Sequence, residues 1–228
     1  MPGDPSASEL AMRKIAFAAA ASLGIAAAAV SAVSATAPMA PQAGPEAQEV
    51  VVTSGTYTAD PNHTLVGWSL SHFGFNDYFG LYGNISGTLN LDAENLGNSS
   101  LDITIPLDTP TVASAGLAHH LLRPGNAGAA PDFFGPSPEP ARFVSTAVHP
   151  MGDNQAHIMG NLTFNGQTHP VEITAGLSGA GTNMMNQKAT LGFHGTATIM
   201  RSQWGLGYGV PMGLGDEVKL NITAAFEK

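Results

Sequence analysis

Apolar and polar residues alternate with a period of two on both sides of Asn165-Gly166. In the run before this pair, Ile158, Leu162 and Phe164 share one parity, and in the run after it, residues 167–177, Val171 and the apolar residues that follow share the other. An Asn-Gly pair between two such runs is the strongest short-range signal for a β-hairpin. The sequence therefore predicts two strands joined by a tight turn, each with one apolar face that must be buried.

The same alternation predicts further strands within residues 56–228, in the runs 64–71, 85–91, 101–107, 142–148, 188–200 and 218–226. Pro106 indicates that the strand in 101–107 ends there or lies at an edge. Leu117, Leu121 and Leu122 have helical spacing and predict one short helix that ends before Pro124. About eight strands with almost no helix are typical of an antiparallel barrel or sandwich.

Two features favour the barrel over the sandwich. Glycines such as Gly87, Gly160 and Gly195 lie inside predicted strands, where they weaken pairing unless the strand has to bend. The first and last strands are long and strongly alternating, so that leaving them as free edges would promote aggregation, whereas pairing them closes the sheet. The predicted fold class is all-β: an antiparallel eight-stranded lipocalin-like barrel with one short helix.

The first part of the chain differs in composition from the predicted barrel. Arg13-Lys14 precede a mostly alanine apolar run, residues 15–33, that ends in small residues, as in a secretory signal peptide. The alternative is a transmembrane anchor, which alanine supports poorly. We expect residues 1–37 to form an N-terminal extension and signal peptide, residues 38–55 a disordered linker, and residues 56–228 the barrel domain. Leader removal would leave no integral membrane span and a periplasmic protein.

Charge and cysteine content restrict the partners. Lys and Arg number 8 against 17 Asp and Glu, for a net charge of −9, and Cys is absent. Without a basic surface we expect no nucleic-acid partner. An exported chain without disulfides fits a bacterial periplasm. The histidines are scattered, and the chain has neither a nucleophile elbow nor a phosphate-binding loop, so we expect no metal site, no cofactor and no catalytic residue.

The interior of an eight-stranded barrel is wide enough either to be filled by side chains or to hold one small ligand. Bulky inward candidates such as Trp68 and Phe193 alternate with small ones such as Gly160 and Ala197. The large residues fill the space that the small ones leave, or a lined cavity remains; the residues alone leave both alternatives open. A cavity would suit a hydrocarbon guest, which gains up to ~0.8 kcal/mol per buried CH₂.

A series of short motifs runs in order along the domain: Tyr57–His63, Ser71–Gly74, Ser86–Leu89, Asp132–Phe134, Arg142–Thr146, Gly160–Thr163, Gly166–Val171, Arg201–Gly205 and Leu214–Val218. Together they resemble the YceI-like family of periplasmic, lipocalin-like, polyisoprenoid-binding proteins. The resemblance implies a barrel around an apolar tunnel for an isoprenoid or other long-chain lipid, a homodimer in some members, and no established catalysis. The chain departs from the family pattern in residues 118–123 and in an inserted stretch before Asp132, a region expected at one mouth of the barrel.

The resulting hypothesis is a periplasmic binding or carrier protein that holds a polyisoprenoid, an isoprenoid quinone or a fatty-acid-like lipid inside the barrel. One alternative is an enzyme or stress-response factor acting on a lipid-like or quinone-like substrate in the same cavity, and another is a filled barrel that binds other proteins through its surface. His72 and Arg201 are the polar candidates for a head group. The candidate ligand-binding residues are Trp68, His72, Phe73, Phe75, Phe79, Phe133, Phe134, Phe164, Phe193, Arg201 and Trp204.

Overall fold

The alternating runs of the sequence form the strands of one antiparallel sheet. The computed structural model describes residues 52–152 and 154–228, so the predicted signal peptide and all but the end of the predicted linker lie outside the described residues. The helix α1 spans Ala115–Leu122, and single turns of 3₁₀ helix lie at Leu96–Asn98, Asn126–Gly128, Arg201–Trp204 and Val210–Met212. The strands are β1 (Gly55–Ala59), β2 (Leu65–His72), β3 (Asn76–Tyr82), β4 (Ser86–Leu91), β5 (Ser100–Ile105), β6 (Thr111–Val112), β7 (Ala141–Gly152), β8 (Gln155–Phe164), β9 (Gln167–Thr182), β10 (Ala189–Met200) and β11 (Glu217–Glu227).

These eleven segments occupy eight positions around a closed barrel, because three strands of the barrel are each interrupted once. β1 and β2 lie end to end along the same edge of β11. In the same way β4 and β3 continue each other alongside β1 and β2, and β5 and β6 continue each other alongside β4 and β3. The order around the barrel is β1/β2, β4/β3, β5/β6, β7, β8, β9, β10, β11 and back to β1/β2. The predicted eight-stranded antiparallel barrel is confirmed.

β11 closes the barrel by pairing along both of its edges. It pairs with β10 from Glu217 to Glu227, and its other edge pairs with β2 and then with β1. The first and last strands of the domain therefore protect each other, as their unprotected alternating sequences predicted.

The central hairpin has the predicted strands and the predicted turn. β8 and β9 pair from Phe164–Gln167 to Gln155–Gly176. Both residues of the loop, Asn165 and Gly166, have positive φ, at 47° and 72°, as a type I′ turn requires. The Asn165 side-chain amide also donates to the main-chain carbonyl of Trp204, at 2.8 Å, which ties the turn to the segment after β10.

The predicted helix is confirmed as α1, and the predicted end of the strand before Pro106 is confirmed as the end of β5. Ser114 caps α1, because its hydroxyl oxygen accepts from the main-chain N–H of Leu117 at 3.2 Å. β3 was not predicted. Its residues are apolar on both parities, with Tyr78 and Tyr82 on the inner face and Phe79 on the outer face opposite Ser69, so the strand shows no alternation.

Aromatic rings fill part of the interior by lying over glycines of the neighbouring strand. The ring of Trp68 covers Gly80, which is its partner across the β2–β3 pair, and the ring of Phe143 covers Gly160. A side chain at either glycine would collide with the ring. The large inward residues thus occupy the space left by some of the small ones, as one of the two alternatives expected.

We predict that Gly160→Ala lowers the free energy of unfolding by about 1–3 kcal/mol, as overpacking does in other cores. The new Cβ would collide with the ring of Phe143 and lie 2.7 Å from the carbonyl oxygen of Val144. Urea denaturation measures the loss. Gly179→Ala in β9 is the matched control, because no atom lies within 4 Å of its new Cβ, and its effect should stay within about 0.5 kcal/mol. Equal losses in the two variants would contradict the packing of Phe143 on Gly160.

Candidate functional site

The rest of the barrel interior is divided into three chambers with apolar walls. The upper chamber, at the end of the barrel where α1 lies, has a cavity volume of about 150 Å³, and it is bordered by Leu70, Ile199 and Val218 among others. The middle chamber has a volume of about 120 Å³. The lower chamber has a volume of about 140 Å³ and reaches Val52, the first described residue. Each chamber alone is smaller than the roughly 300–1,000 Å³ of typical small-molecule sites.

The three chambers lie in series along the barrel. Val66 and Ile105 border both the upper and the middle chamber. Leu101, Ile158 and Phe193 are among the residues that border both the middle and the lower chamber. Because neighbouring chambers share wall residues, they follow one another along the barrel, and we call this series of chambers the tunnel.

Strand β10 shows how the sequence builds the tunnel. Its inward residues lie at every second position. Among them Leu191 and Phe193 border the lower chamber, Gly195 borders the middle chamber and Ile199 borders the upper chamber. The same alternation that predicted the strand therefore presents an apolar residue or a glycine at each level of the tunnel.

Six of the predicted ligand-binding residues border the tunnel. Phe193 lies between the middle and lower chambers. The five that border the upper chamber are Trp68, Phe133, Phe134, Phe164 and Arg201.

Trp204 packs behind the residues that border the upper chamber. Its side chain is only 1% exposed, and its Nε1 donates to the main-chain carbonyl of Leu162 at 3.1 Å. Its ring packs against Phe164, with 6.2 Å between ring centroids, and against His169, at 4.9 Å. Trp204 thus positions Phe164, which borders the upper chamber.

The remaining four predicted residues do not border the tunnel. Phe73 and Phe75, in the turn between β2 and β3, are 43% and 88% exposed, and Phe79 on the outer face of β3 is 66% exposed. His72 ends β2, where it forms an isolated bridge with Leu214, and its ring packs against Phe73 at 4.6 Å. These residues can be placed correctly only when β3 is known. β3 was missed because its sequence does not alternate.

Sequence reasoning also missed the aliphatic majority of the wall. The middle chamber is bordered mainly by aliphatic residues, including Ile103, Ile158, Ile173 and Ile222. All of these occupy inward positions in strands that the alternation had predicted. The alternation pattern already marked these aliphatic positions as inward, but aromatic residues were chosen as wall candidates instead.

Arg201 is the one charged residue that borders the upper chamber within the described part of the chain. Its side chain is only 5% exposed, and burial lowers the pKa of its guanidinium while the charge of Asp216 opposes that shift. Nε donates to the carbonyl of Gly215 at 2.8 Å, and Nη1 donates to the carbonyl of Leu206. Arg201 therefore holds two points of the glycine-rich loop 205–215 against the end of β10.

A lid, which we define as residues 113–140, covers the upper chamber. Leu121 of α1, Phe133 and Phe134 border the chamber from this segment, and the main-chain N–H of Phe134 donates to the carbonyl of Leu121 at 3.1 Å. The rings of His120, Phe133 and Tyr208 pack in a cluster with centroid distances of 5.1–5.3 Å. The cluster joins the lid to the loop that Arg201 anchors.

One carboxylate fastens the two arms of the lid to each other. Oδ2 of Asp132 accepts from Nη2 of Arg123 at 2.7 Å and lies 2.7 Å from Nε2 of His120. The hydrogen bond from Arg123, followed by that from His120, lowers the pKa of Asp132 below its ordinary value of 3.8. An ion pair between partly exposed side chains thus holds the two arms of the lid together.

No three His, Asp or Glu side chains within residues 52–152 and 154–228 lie close enough together to hold a metal ion. Among the same residues, no helix has the length and apolar character needed to cross a membrane.

Comparison with known proteins agrees with the fold. A UPF0312 protein of Pseudomonas aeruginosa is 32% identical over 165 residues, covering 71% of this chain and 80% of that protein. The crystal structure of BcnA from Burkholderia cenocepacia matches with a TM-score of 0.61 at 21% identity, over 73% of this chain and 98% of that one. A polyisoprenoid binding domain from Saccharophagus degradans matches with a TM-score of 0.54 at 9% identity, over 75% and 97% of the two chains. The YceI-like domain profile matches residues 57–226, and the chain therefore belongs to the YceI-like family.

Proposed function

We propose that this protein binds one long apolar ligand, a polyisoprenoid, an isoprenoid quinone or a fatty-acid-like lipid, inside the barrel and carries or shelters it in the periplasm. The observation that carries the proposal is the tunnel, in which three apolar chambers share walls along the barrel. A long hydrocarbon chain fits such a series better than a compact molecule does. Each CH₂ that leaves water for this wall contributes up to ~0.8 kcal/mol, which offsets the cost of ordering the chain.

Binding rather than catalysis is the activity that these walls support. The upper chamber is bordered by aliphatic and aromatic side chains with Arg201 as its charged member, so no acid and base face each other across it among the described residues. The family relationship supports the same proposal, since the structurally similar Saccharophagus degradans protein is a polyisoprenoid binding domain. Export and a periplasmic location rest on the predicted signal peptide, and homodimerisation stays a prediction from the family resemblance.

We further propose that the ligand passes through the upper end of the barrel. The lid there consists of α1 and a loop, and residues 113–140 pair with no strand of the sheet. The ion pair of Asp132 with Arg123 joins its two arms. An ion pair between partly exposed side chains is weak and readily broken. Opening it would loosen the arm that carries Phe133 and Phe134 from α1.

The first prediction from the proposed function tests the ligand itself. Protein purified from its native host without detergent is expected to release a long-chain lipid on solvent extraction, and mass spectrometry of the extract identifies it. Protein unfolded and refolded without lipid serves as the control and should regain the lipid from a host membrane extract. Recovery of no lipid from either preparation would contradict the carrier function.

The second prediction tests whether the chambers act as one tunnel. Val66 borders the upper and middle chambers, so Val66→Phe should narrow their junction and exclude part of a long chain. Affinity for long lipids should fall at least about ten-fold, because each excluded CH₂ forfeits up to ~0.8 kcal/mol, while short lipids keep their affinity. A displacement assay with a chain-length series measures this. Leu65→Phe is the matched control, since Leu65 lies on the outer face of the same strand; an equal effect there would argue against the tunnel.

The third prediction concerns release through the lid. The pKa of Asp132 is lowered, so its ion pair is present above its ordinary pKa of 3.8 and is lost as the pH falls through the lower folded value. Lipid release should accelerate in that acidic range, whereas Asp132→Asn should release lipid fast at neutral pH and show no further acceleration from this group. Stopped-flow transfer of a fluorescent lipid to vesicles measures the rate.

The matched control for the lid is Asp102→Asn. Asp102 forms the same kind of pair with Arg142, at 2.6 Å between Nη2 and Oδ2, and hydrogen bonding from Arg142 lowers its pKa too. That pair joins β5 to β7 on the exposed face of the barrel and touches no chamber. Asp102→Asn should therefore release lipid at the wild-type rate, and a similar acceleration in both variants would exclude the lid as the route.

A further inference from the structure

Large apolar side chains are exposed on two loops beside the lid. Phe73 and Phe75 lie in the turn between β2 and β3, and Phe75 is 88% exposed. Met212, in the loop 205–215, is 62% exposed, and Tyr208 of the same loop is 37% exposed. Single exposed apolar residues are common in soluble proteins, whereas a group of them at one place marks an interaction site.

The two loops lie side by side, so that these side chains form one group. The main-chain N–H of Gly215 donates to the carbonyl of Ser71 at 2.8 Å. Gly213, which follows Met212 directly, lies against Phe73, because a Cβ at this glycine would be 3.3 Å from Cδ1 of the ring. We call the exposed apolar side chains of the two loops the mouth patch: Phe73, Phe75, Tyr208 and Met212.

The mouth patch is in contact with the lid. The ring of Tyr208 packs against His120 of α1 at 5.2 Å and against Phe133 at 5.3 Å, and Phe133 borders the upper chamber. A surface that covers the mouth patch would therefore lie next to the lid, at the end of the barrel through which we propose that the ligand passes.

The charge around the mouth patch indicates what kind of surface covers it. Residues 71–76 and 202–215 contain no Asp, Glu, Lys or Arg, although the chain carries a net charge of −9. The lid residues 124–131, nearly all of them exposed, are uncharged as well. An anionic membrane attracts proteins through clusters of Lys and Arg, which these loops lack. A bilayer without net surface charge complements them.

The shape of the mouth patch favours a bilayer over a protein partner. Phe75 lies at the tip of a tight turn, in which its main-chain N–H donates to the carbonyl of His72 at 3.1 Å. A side chain that projects from a turn in this way can insert between lipids, which have no fixed shape to match. Aromatic and long apolar residues bind the boundary between head groups and acyl chains, in proportion to the apolar area that they bury there.

We propose that the mouth patch docks this protein on a lipid bilayer without net surface charge, with Phe75 and Met212 inserted into the bilayer and the lid facing it. This inference rests on the proposed function and adds to it the partner surface and the orientation of the barrel. A docked barrel exchanges its hydrocarbon ligand with the bilayer over a short path, which limits the exposure of the ligand to water.

Flotation with phosphatidylcholine vesicles measures docking of the protein purified from its native host. The wild type should float with the vesicles, and its partition coefficient should change by less than about two-fold between about 0.05 M and about 0.5 M NaCl, because salt screens charges and not apolar insertion. Adding phosphatidylglycerol to the vesicles should not strengthen binding, since the chain is acidic. Binding that requires phosphatidylglycerol would overturn the proposal.

Serine variants identify the docking residues. Phe75→Ser should lower the partition coefficient about ten-fold and Met212→Ser about three- to ten-fold, because each removes an inserted apolar side chain. Met184→Ser is the matched control for Met212→Ser. Met184 is 86% exposed in the loop between β9 and β10, at the opposite end of the barrel, so its loss should change partition by less than about two-fold. Any affinity of the predicted signal peptide is common to all variants.

Two results would overturn the docking. One is equal partition of the wild type, Phe75→Ser and Met212→Ser, or an equal loss in Met184→Ser. The other is a wild-type dimer, seen by analytical ultracentrifugation, that dissociates in Phe75→Ser, since the mouth patch would then be covered by a second copy of the chain.

Extraction of bound lipid from the same preparations separates the docking from the proposed function. If the wild type contains lipid in solution but does not float with vesicles, the docking fails and the carrier function stands. If it floats with vesicles through the mouth patch but neither contains lipid nor takes it up, the carrier function fails and the docking stands.

Discussion

Burial of the inward strand faces holds this domain together, and β11 completes that burial. One edge of β11 pairs with β10 along its whole length, and the other pairs with β1 and β2 in turn. The sheet therefore has no long apolar edge, and the apolar faces of all eight barrel positions are turned towards one another. A chain without cysteine has no disulfide to assist this closure, so the packing of these faces and the strand ladder must hold it.

The same closure decides where the interior is full and where it is empty. Rings that lie over Gly80 and Gly160 fill the space beside those strands, whereas mainly aliphatic side chains border the unfilled middle chamber. Unfilled core volume costs about 24 cal/mol per Å³ in other proteins. A ligand that binds only the folded barrel recovers part of that cost, so occupancy and stability are linked.

Local sequence patterns were enough to predict the barrel, but they predicted neither β3 nor the place of Trp204. The hairpin at Asn165-Gly166, the helix α1 and the end of β5 before Pro106 follow from turn chemistry and periodicity within a few residues. β3 did not, because its outer face carries Phe79 where a polar residue would have revealed the alternation. Trp204 was assigned to the ligand but supports the wall, since its place depends on a carbonyl of Leu162 more than forty residues away in sequence. Contacts of that range leave no local pattern.

Arg201 shows why a polar residue can belong to an apolar site. Its guanidinium has three nitrogens, and two of them serve the protein by binding the carbonyls of Leu206 and Gly215 at either end of the glycine-rich loop. Those two bonds fix the orientation of the guanidinium, so the side chain is ordered by the loop that it anchors. Because Tyr208 of the same loop packs against His120 and Phe133 of the lid, one side chain connects the wall of the upper chamber to its cover.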